Sequence, residues 1–212
     1  MLDQVAPKDC QKCPRLYEFI QSHKEAHPDW HNGSVPSFGD VNAPILIVGL
    51  APGLRGANAT GRPFTGDFAG NTLYEALQKH GFASGTYQKK IEDGLTLHNV
   101  RITNAVKCVP PQNKPTGAEI NTCRDAYLIP EIKRMTHLRA ILALGRIAHQ
   151  ALIKTYGKRQ ADYAFGHGAE HQLDDNLMLI DSYHCSRYNV QTNRLTTDMF
   201  DTIIARLKEI AA

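Results

Sequence analysis

Four of the five cysteines form two pairs whose spacing is typical of metal ligands. Cys10 and Cys13 make a C-x-x-C pair, while Cys108 and Cys123 are separated by a proline-rich loop. Four thiolates suit either zinc or an iron–sulfur cluster. Zinc ribbons usually have two tight pairs, and here one pair is tight. The alternative is that these cysteines are buried thiols without a ligand.

A glycine-rich segment follows the first apolar run of the chain. It reads GLAPG over residues 49–53 and GRPFTGD over residues 61–67. Backbone N–H groups of such a loop can hold an anion, although the spacing fits neither a P-loop nor a dinucleotide fingerprint. Phe64 either packs in the core or stacks on a base. Asp67 either begins a helix, where the dipole favours it, or takes part in chemistry.

Two polar residues follow later apolar runs. Asn104 can pair with the amide edge of a base, such as N3–H and O4 of uracil, or can cap a turn. His184 lies just after a predicted strand, where a positioned imidazole can stabilise a developing oxyanion. The remaining histidines are scattered and form no HExxH motif.

Alternating strands and helices position these residues. Apolar runs predict strands over 45–50, 100–106, 138–144 and 177–180. Helical patterns cover 10–25, 72–80, 145–156 and 196–211, and a capping box at Thr116–Glu119 begins a further helix that carries Cys123 and is broken near Pro130. This alternation predicts an α/β sandwich around a parallel sheet.

The loops after the strands are the expected binding site. Parallel sheets bind ligands beyond the carboxyl ends of their strands. The strand-exit loops are residues 49–70, 103–115 and 183–192, which are also rich in polar and unusual residues. We therefore expect Asp67, Asn104 and His184 to meet at this edge.

Composition places the chain among ordinary globular proteins. It has 212 residues, 42% of them hydrophobic and 21% charged, and a net charge of +3, which permits nucleic-acid binding without requiring it. One domain over residues 1–212 is expected. The sequence contains no apolar run long enough for a membrane span and no apolar signal-peptide core over 1–12, so a cytoplasmic location without disulfides is expected.

Together these motifs resemble the uracil-DNA glycosylase superfamily, and within it the iron–sulfur branches. Residues 49–53 and 56–67 look like the first motif of the family 5 enzymes, whereas family 4 has an acidic residue in place of Leu50. His184-Cys185-Ser186 resembles the second motif, which usually reads His-Pro-Ser. The cysteine spacing matches the cluster ligands of both branches. The resemblance extends over 10–196, nearly the whole chain.

This resemblance implies a fold, a cofactor and an activity. The fold is a three-layer α/β/α sandwich around a four-stranded parallel sheet. The cofactor is a structural [4Fe–4S] cluster, held by Cys10, Cys13, Cys108 and Cys123. The activity is hydrolysis of the N-glycosidic bond of a uracil, or of another deaminated or adducted base such as hypoxanthine or ethenocytosine, after the base is flipped out of DNA. A monomer is expected to act on the DNA.

The resemblance also implies residue roles. His184 stabilises the departing base anion, and Asp67 activates water or stabilises the sugar cation, because Leu50 cannot. The implied base-binding residues are Gly49, Leu50, Ala51, Gly53, Phe64 and Asn104. The implied DNA contacts are Arg55, Asn58, Arg62, Ser186, Arg187, Tyr188 and Asn189.

Two features depart from an active enzyme of this kind. Cys185 replaces a proline that would stiffen the loop, so we expect either a looser His184 or a changed substrate range, and a free thiol near the DNA face. The apolar Leu50 leaves a second hypothesis open, a non-catalytic iron–sulfur protein that binds damaged DNA on the same fold. A phosphate-binding hydrolase is a third, but no carboxylate pair of the kind that binds Mg²⁺ supports it.

Overall fold

The computed structural model describes residues 5–211. Its strands are β1 (Ile45–Gly49), β2 (Ala83–Ser84), β3 (Thr96–Leu97), β4 (Val100–Asn104), β5 (Ala140–Leu144), β6 (Glu170–Asp174) and β7 (Leu177–Ser182). Its α-helices are α1 (Pro14–Ala26), α2 (Ala57–Thr60), α3 (Phe68–Lys79), α4 (Gly117–Cys123), α5 (Ile129–Arg134), α6 (Arg146–Thr155), α7 (Arg187–Gln191) and α8 (Thr197–Ala211).

A five-stranded sheet in the order β4-β1-β5-β7-β6 forms the centre of the fold. The first four strands are parallel, as predicted, and β1 and β5 are buried along their whole length. Strands covered on both faces need continuous apolar runs, which is why these segments could be recognised in the sequence. The sheet therefore has its predicted α/β/α character.

The prediction of four strands is corrected by β6. This strand pairs antiparallel with β7 at the sheet edge, and Leu173 is its one fully buried residue. Polar residues dominate its sequence, EHQLD, so no apolar pattern marked it as a strand. An antiparallel strand at the edge of a parallel sheet is a common arrangement, because one face of it can stay in water.

Two apolar cores lie on the two faces of the sheet. On one face, Ile45 and Ile47 of β1 pack with residues of α3 and α8, such as Leu73 and Ile204. On the other face, Leu46 and its neighbours pack with α5 and α6. Because successive strand residues point to opposite faces, one strand contributes to both cores. This packing fixes the sheet as a rigid support for the loops at its edge.

Local signals explain where the helices begin. The capping box is present, with Thr116 and Glu119 satisfying each other's backbone N–H groups, and α4 starts there. α3 starts at Phe68, earlier than predicted, because Asp67 caps it. A π-helical turn, Arg124–Leu128, joins α4 to α5 just before Pro130, which has no N–H to continue an α-helix.

Within the described residues, no helix combines the length and apolarity that crossing a membrane would require.

Candidate active site

A pocket of about 550 Å³ opens at the carboxyl ends of β1, β4 and β7. The three loops that were expected to form the site all contribute to it. Its lining includes the predicted residues Leu50, Ala51, Gly53, Phe64, Asp67, Asn104, His184, Ser186 and Arg187. The predicted catalytic pair and five of the six predicted base-binding residues are therefore brought together in one cavity.

The sixth, Gly49, lies where Phe64 and Asn104 approach each other. A Cβ atom on Gly49 would lie 2.5 Å from Asn104 Oδ1 and 2.6 Å from Phe64 Cζ. Any side chain here would therefore displace both groups. Glycine at the end of β1 lets an aromatic ring and an amide meet at the wall of the pocket.

The backbone of Phe64 is fixed by its surroundings in a conformation that is uncommon for a non-glycine residue. Its φ is 53°, and its carbonyl accepts a hydrogen bond from the Tyr87 hydroxyl at 3.2 Å. The Tyr74 hydroxyl donates to the preceding carbonyl, that of Pro63, at 2.6 Å. Gly70 leaves room for this turn, because a Cβ there would lie 1.8 Å from the Phe64 oxygen. The ring is thus held by interactions outside the pocket.

Asp67 uses its two carboxylate oxygens differently. Oδ1 accepts a hydrogen bond from the Gly70 N–H at 2.9 Å and caps α3. Oδ2 faces the glycines of the first loop, where a Cβ on Gly53 would be 3.4 Å away and one on Gly56 would be 3.0 Å away. Asp67 is therefore both a helix cap and a charged group of the pocket.

His184 lies on the wall formed by the loop after β7. Its ring faces that of Phe64, with centroids 6.0 Å apart and planes inclined by 28°. Burial lowers the pKa of His184, and the negative charge of Asp67 opposes part of this shift. The imidazole is accordingly neutral at pH 7, and it can donate from one nitrogen to an anion in the pocket. The Asn189 side-chain amide donates to the His184 carbonyl at 2.7 Å and braces the loop.

Cys185 is a free thiol, as predicted, but its sulfur lies in the protein interior and not at the DNA face. The residue is fully buried, and its Sγ lies 3.5 Å from the carbonyl oxygen of Ala69, as a weak hydrogen-bond donor. Burial raises the pKa of the thiol to about 12. Cys185 packs in the core beneath the second motif, so this contact and the bond from Asn189 brace the loop where proline is usual.

Three of the predicted DNA-contact residues are exposed, and one of them, Arg187, lines the pocket. Arg55 and Arg187 are exposed, and Tyr188 is 70% exposed. Ser186 caps α7, a short helix in what was predicted to be an irregular loop. The side chains of Arg55, Arg187 and Tyr188 are accessible to a DNA backbone or a base step.

Two other predicted DNA contacts are corrected. Asn58 is fully buried and its amide donates to Asn32 at 3.1 Å. Arg62 is 2% exposed and forms a two-pronged ion pair with Asp93, at 2.9 and 2.7 Å. Neither side chain can reach DNA from these positions. Both belong to the framework of the first loop.

Five lining residues were not predicted from the sequence: Pro52, Ala57, Phe68, Ala69 and Asn113. Asn113 is exposed, with a φ of 57°, on the loop after β4. Its place in the proline-rich strand-exit loop was the available signal. Phe68 opens α3, and the guanidinium of Arg187 lies 5.7 Å from its ring centre. This cation–aromatic contact connects the first and last loops of the site.

A second cavity is lined by the four cysteines of the predicted cluster. Cys10 and Cys13 precede α1, while Cys108 and Cys123 come from the loop after β4 and from α4. All are free thiols. Burial, followed by repulsion from neighbouring charged groups, raises the pKa of Cys13 and Cys108. The residues that line the cysteine cavity are all different from those that line the pocket of Asp67 and His184.

The cysteine cavity has further polar groups that face sulfur. The backbone N–H of Lys107 donates to Cys123 Sγ at 3.2 Å, and the Tyr127 hydroxyl lies 3.1 Å from Cys10 Sγ. Apolar residues such as Leu16 and Val106 surround them. Four thiols around one cavity, with hydrogen bonds to sulfur, form a donor set that fits an iron–sulfur cluster.

Comparison with known proteins identifies the family. A family model described as the uracil DNA glycosylase superfamily matches residues 36–208. The type-5 uracil-DNA glycosylase of Thermus thermophilus is 42% identical, over 95% of this chain and 94% of its own. The type-5 enzyme of Pyrobaculum aerophilum is 38% identical, over 93% and 87%, and the type-4 enzyme of that organism is 37% identical, over 72% and 63%. The chain therefore belongs to the uracil-DNA glycosylase superfamily, and its similarity to type-5 members extends over nearly its full length.

Proposed function

We propose that this protein excises uracil from DNA by hydrolysing its N-glycosidic bond and leaving an abasic site. The observation that carries the proposal is that His184 and the free oxygen of Asp67 line one pocket together with Phe64 and Asn104. The relatives named as uracil-DNA glycosylases support it. The glycosidic bond is inaccessible within a duplex, so the base must leave the stack to enter this pocket.

The charges in the pocket fit the charges that this reaction develops. Breaking the bond leaves negative charge on the base and positive charge on the sugar. His184, neutral because its pKa is lowered, donates a hydrogen bond to the base oxygen and so stabilises the anion. Asp67 lies across the first loop, where its carboxylate stabilises the sugar cation and accepts a proton from the attacking water. Leu50, half-buried and apolar, lines the pocket without taking a proton.

Recognition of the base rests on Phe64 and Asn104. Stacking on an aromatic side chain contributes about 1–3 kcal/mol per base. Asn104, 4% exposed, presents its amide beside that ring and can read the edge of uracil. Exposed Arg55 and Arg187 supply phosphate contacts, and Tyr188 fills the space that the flipped base vacates. The protein acts as a monomer in this proposal, because one chain supplies every group.

Single-turnover assays on oligonucleotides that carry one uracil, in single and double strands, test this function. We expect abasic-site formation with the wild type, none on a matched thymine oligonucleotide, and a loss of about 10²–10³-fold for His184→Ala, which removes the oxyanion donor. DNA affinity should change little in this variant, because phosphate contacts dominate affinity.

Tight binding of uracil DNA without cleavage would instead support the damage-binding alternative. Oligonucleotides with hypoxanthine or ethenocytosine, assayed in parallel, define the range of bases that the pocket accepts.

We also propose that Cys10, Cys13, Cys108 and Cys123 hold a [4Fe–4S] cluster. The four sulfurs line one cavity, and N–H and O–H groups face them, as in iron–sulfur sites. The separation from the active-site pocket favours a structural role. The cluster would connect the start of α1 to the loop after β4, which carries Asn113 into the pocket.

Anaerobically purified protein should be brown, with iron and acid-labile sulfide in cluster stoichiometry. Cys108→Ser should lose the colour and part of the thermal stability. Cys185→Ser is the matched control, because Cys185 is buried outside the cavity, and it should keep the colour. One equivalent of zinc without iron would refute the cluster and leave a Cys₄ zinc site.

A further inference from the structure

Three residues with metal-binding side chains meet at the β6 side of the sheet, and none of them lines either of the cavities described above. His149 lies on α6, His171 on β6 and Asp181 on β7. Their ligand atoms all lie within 4.8 Å of one another. Asp181 is fully buried, His149 is 2% exposed, and the side chain of His171 is 13% exposed. The group is therefore enclosed, with His171 as its contact with solvent.

The hydrogen bonds of His149 determine which nitrogen is available. Its Nε2 lies 2.9 Å from the carbonyl oxygen of Tyr163. A carbonyl only accepts, so Nε2 carries the hydrogen. In a neutral ring Nδ1 then bears a lone pair, and it faces Asp181 Oδ1 at 2.8 Å. Two lone pairs at this separation repel unless a proton or a metal cation lies between them.

This arrangement has the features of a metal site with its supporting contact. A histidine that binds a metal usually donates its other N–H to a carbonyl or carboxylate, as His149 does to Tyr163. His171 Nε2, 3.3 Å from Asp181 Oδ2, supplies the third ligand atom. Two neutral imidazoles and one carboxylate carry one negative charge, which attracts a divalent ion. Two nitrogens and one oxygen are ligands that zinc and neighbouring transition metals accept.

We infer that His149, His171 and Asp181 bind one divalent transition-metal ion, for which Zn²⁺ is the best match, at a site distinct from the cysteines. A fourth coordination position is left for water. The ion connects α6, β6 and β7, and Asp181 lies in the strand whose exit loop carries His184. The bound ion would therefore stabilise β7, the strand from which the catalytic loop emerges.

Co²⁺ is a suitable spectroscopic probe, because nitrogen and oxygen ligands give weak visible bands and thiolates give intense near-ultraviolet ones. Cluster-loaded wild type, His171→Ala and His171→Gln are titrated with Co²⁺ and then with Zn²⁺. His98→Ala is the matched control, since His98 is an exposed histidine that bonds Ser84. All four proteins keep every cysteine, so the difference between them counts this site alone.

We expect the wild type and His98→Ala to take up one equivalent more than both His171 variants, with visible bands of nitrogen and oxygen ligation. Zn²⁺ at a hundred times its Kd should raise the Tm of the wild type by roughly 5–10 °C, and that of the His171 variants not at all. Far-UV circular dichroism verifies that the variants fold. Equal metal stoichiometry and equal Tm in all four folded proteins would overturn the inference. The contact between His149 and Asp181 would then be a buried imidazolium–carboxylate pair.

Discussion

At the scale of single residues, Asp67 joins two tasks that sequence reasoning treated as alternatives. One oxygen holds the Gly70 N–H and the other faces the first loop of the pocket. The cap stabilises α3, while the second oxygen supplies negative charge where the sugar cation forms. The two tasks can be separated experimentally, because asparagine caps helices about as well as aspartate but carries no charge.

Asp67→Asn should slow single-turnover cleavage by about 10²–10⁴-fold, the contribution typical of a general base, with a Tm close to that of the wild type. Asp67→Ala should lose the same activity and also about 0.5–2 kcal/mol of unfolding free energy, the usual value of a cap. Cleavage rates and denaturant melts of both variants measure these effects. Full activity of folded Asp67→Asn would exclude Asp67 from the mechanism.

At the scale of elements, the first loop depends on an internal ion pair. Arg62 binds Asp93 with two hydrogen bonds and donates to Thr65 at 2.9 Å. Its guanidinium also lies over the rings of Phe38, Tyr74 and Tyr87. Hydrogen bonds from Arg62 hold the pKa of the Asp93 carboxyl far below its usual range. This framework supports the turn that presents Phe64.

Two arginines of this loop, alike in sequence, should behave differently when changed. Arg62→Met should lower the unfolding free energy by about 3–5 kcal/mol, because it leaves Asp93 buried without its partner. Arg55→Met, at an exposed position, should leave stability nearly unchanged and weaken DNA binding with a smaller salt dependence. Denaturant melts and salt-dependent binding titrations separate the two. A stable Arg62→Met with weakened DNA binding would restore the original prediction of a DNA contact.

At the scale of the whole molecule, partly buried histidines make stability depend on pH. Burial lowers the pKa of His31, His167 and His184 from 6.5 in the folded protein. Between the folded and unfolded values the unfolded chain binds more protons, so stability falls as pH drops below about 6.5. Carboxylates with a lowered pKa affect stability in a more acidic range. The pKa of Glu131 is lowered to about 2, so its contribution to the unfolding free energy is lost as the pH falls below about 4.5.

Denaturant melts at pH 7.5, 6.5 and 5.5 should therefore show a progressive decrease in unfolding free energy before any carboxylate titrates. His31→Gln, at a residue that does not line the pocket, should reduce this decrease. Equal stability at the three pH values would show that these imidazoles are not held neutral by the fold.

The sequence by itself determined the four parallel strands and the loops that form the site. Strands buried on both faces must be apolar throughout, so the binding and catalytic residues lie in the loops beyond the carboxyl ends of these strands. The tertiary structure alone decided which polar residues of those loops face the pocket. Asn58 and Arg62 have the same sequence character as exposed Arg55, yet long-range partners, Asn32 and Asp93, draw them inside.

Long-range partners also explain three further features that were not predicted from the sequence. These are the edge strand β6, the burial of Cys185 and the contact between His149 and Asp181. Local composition and periodicity report how much of a segment is buried and on which face. They carry no information about partners that are distant in the chain. Those partners decide whether a polar side chain becomes part of the framework or of the active site.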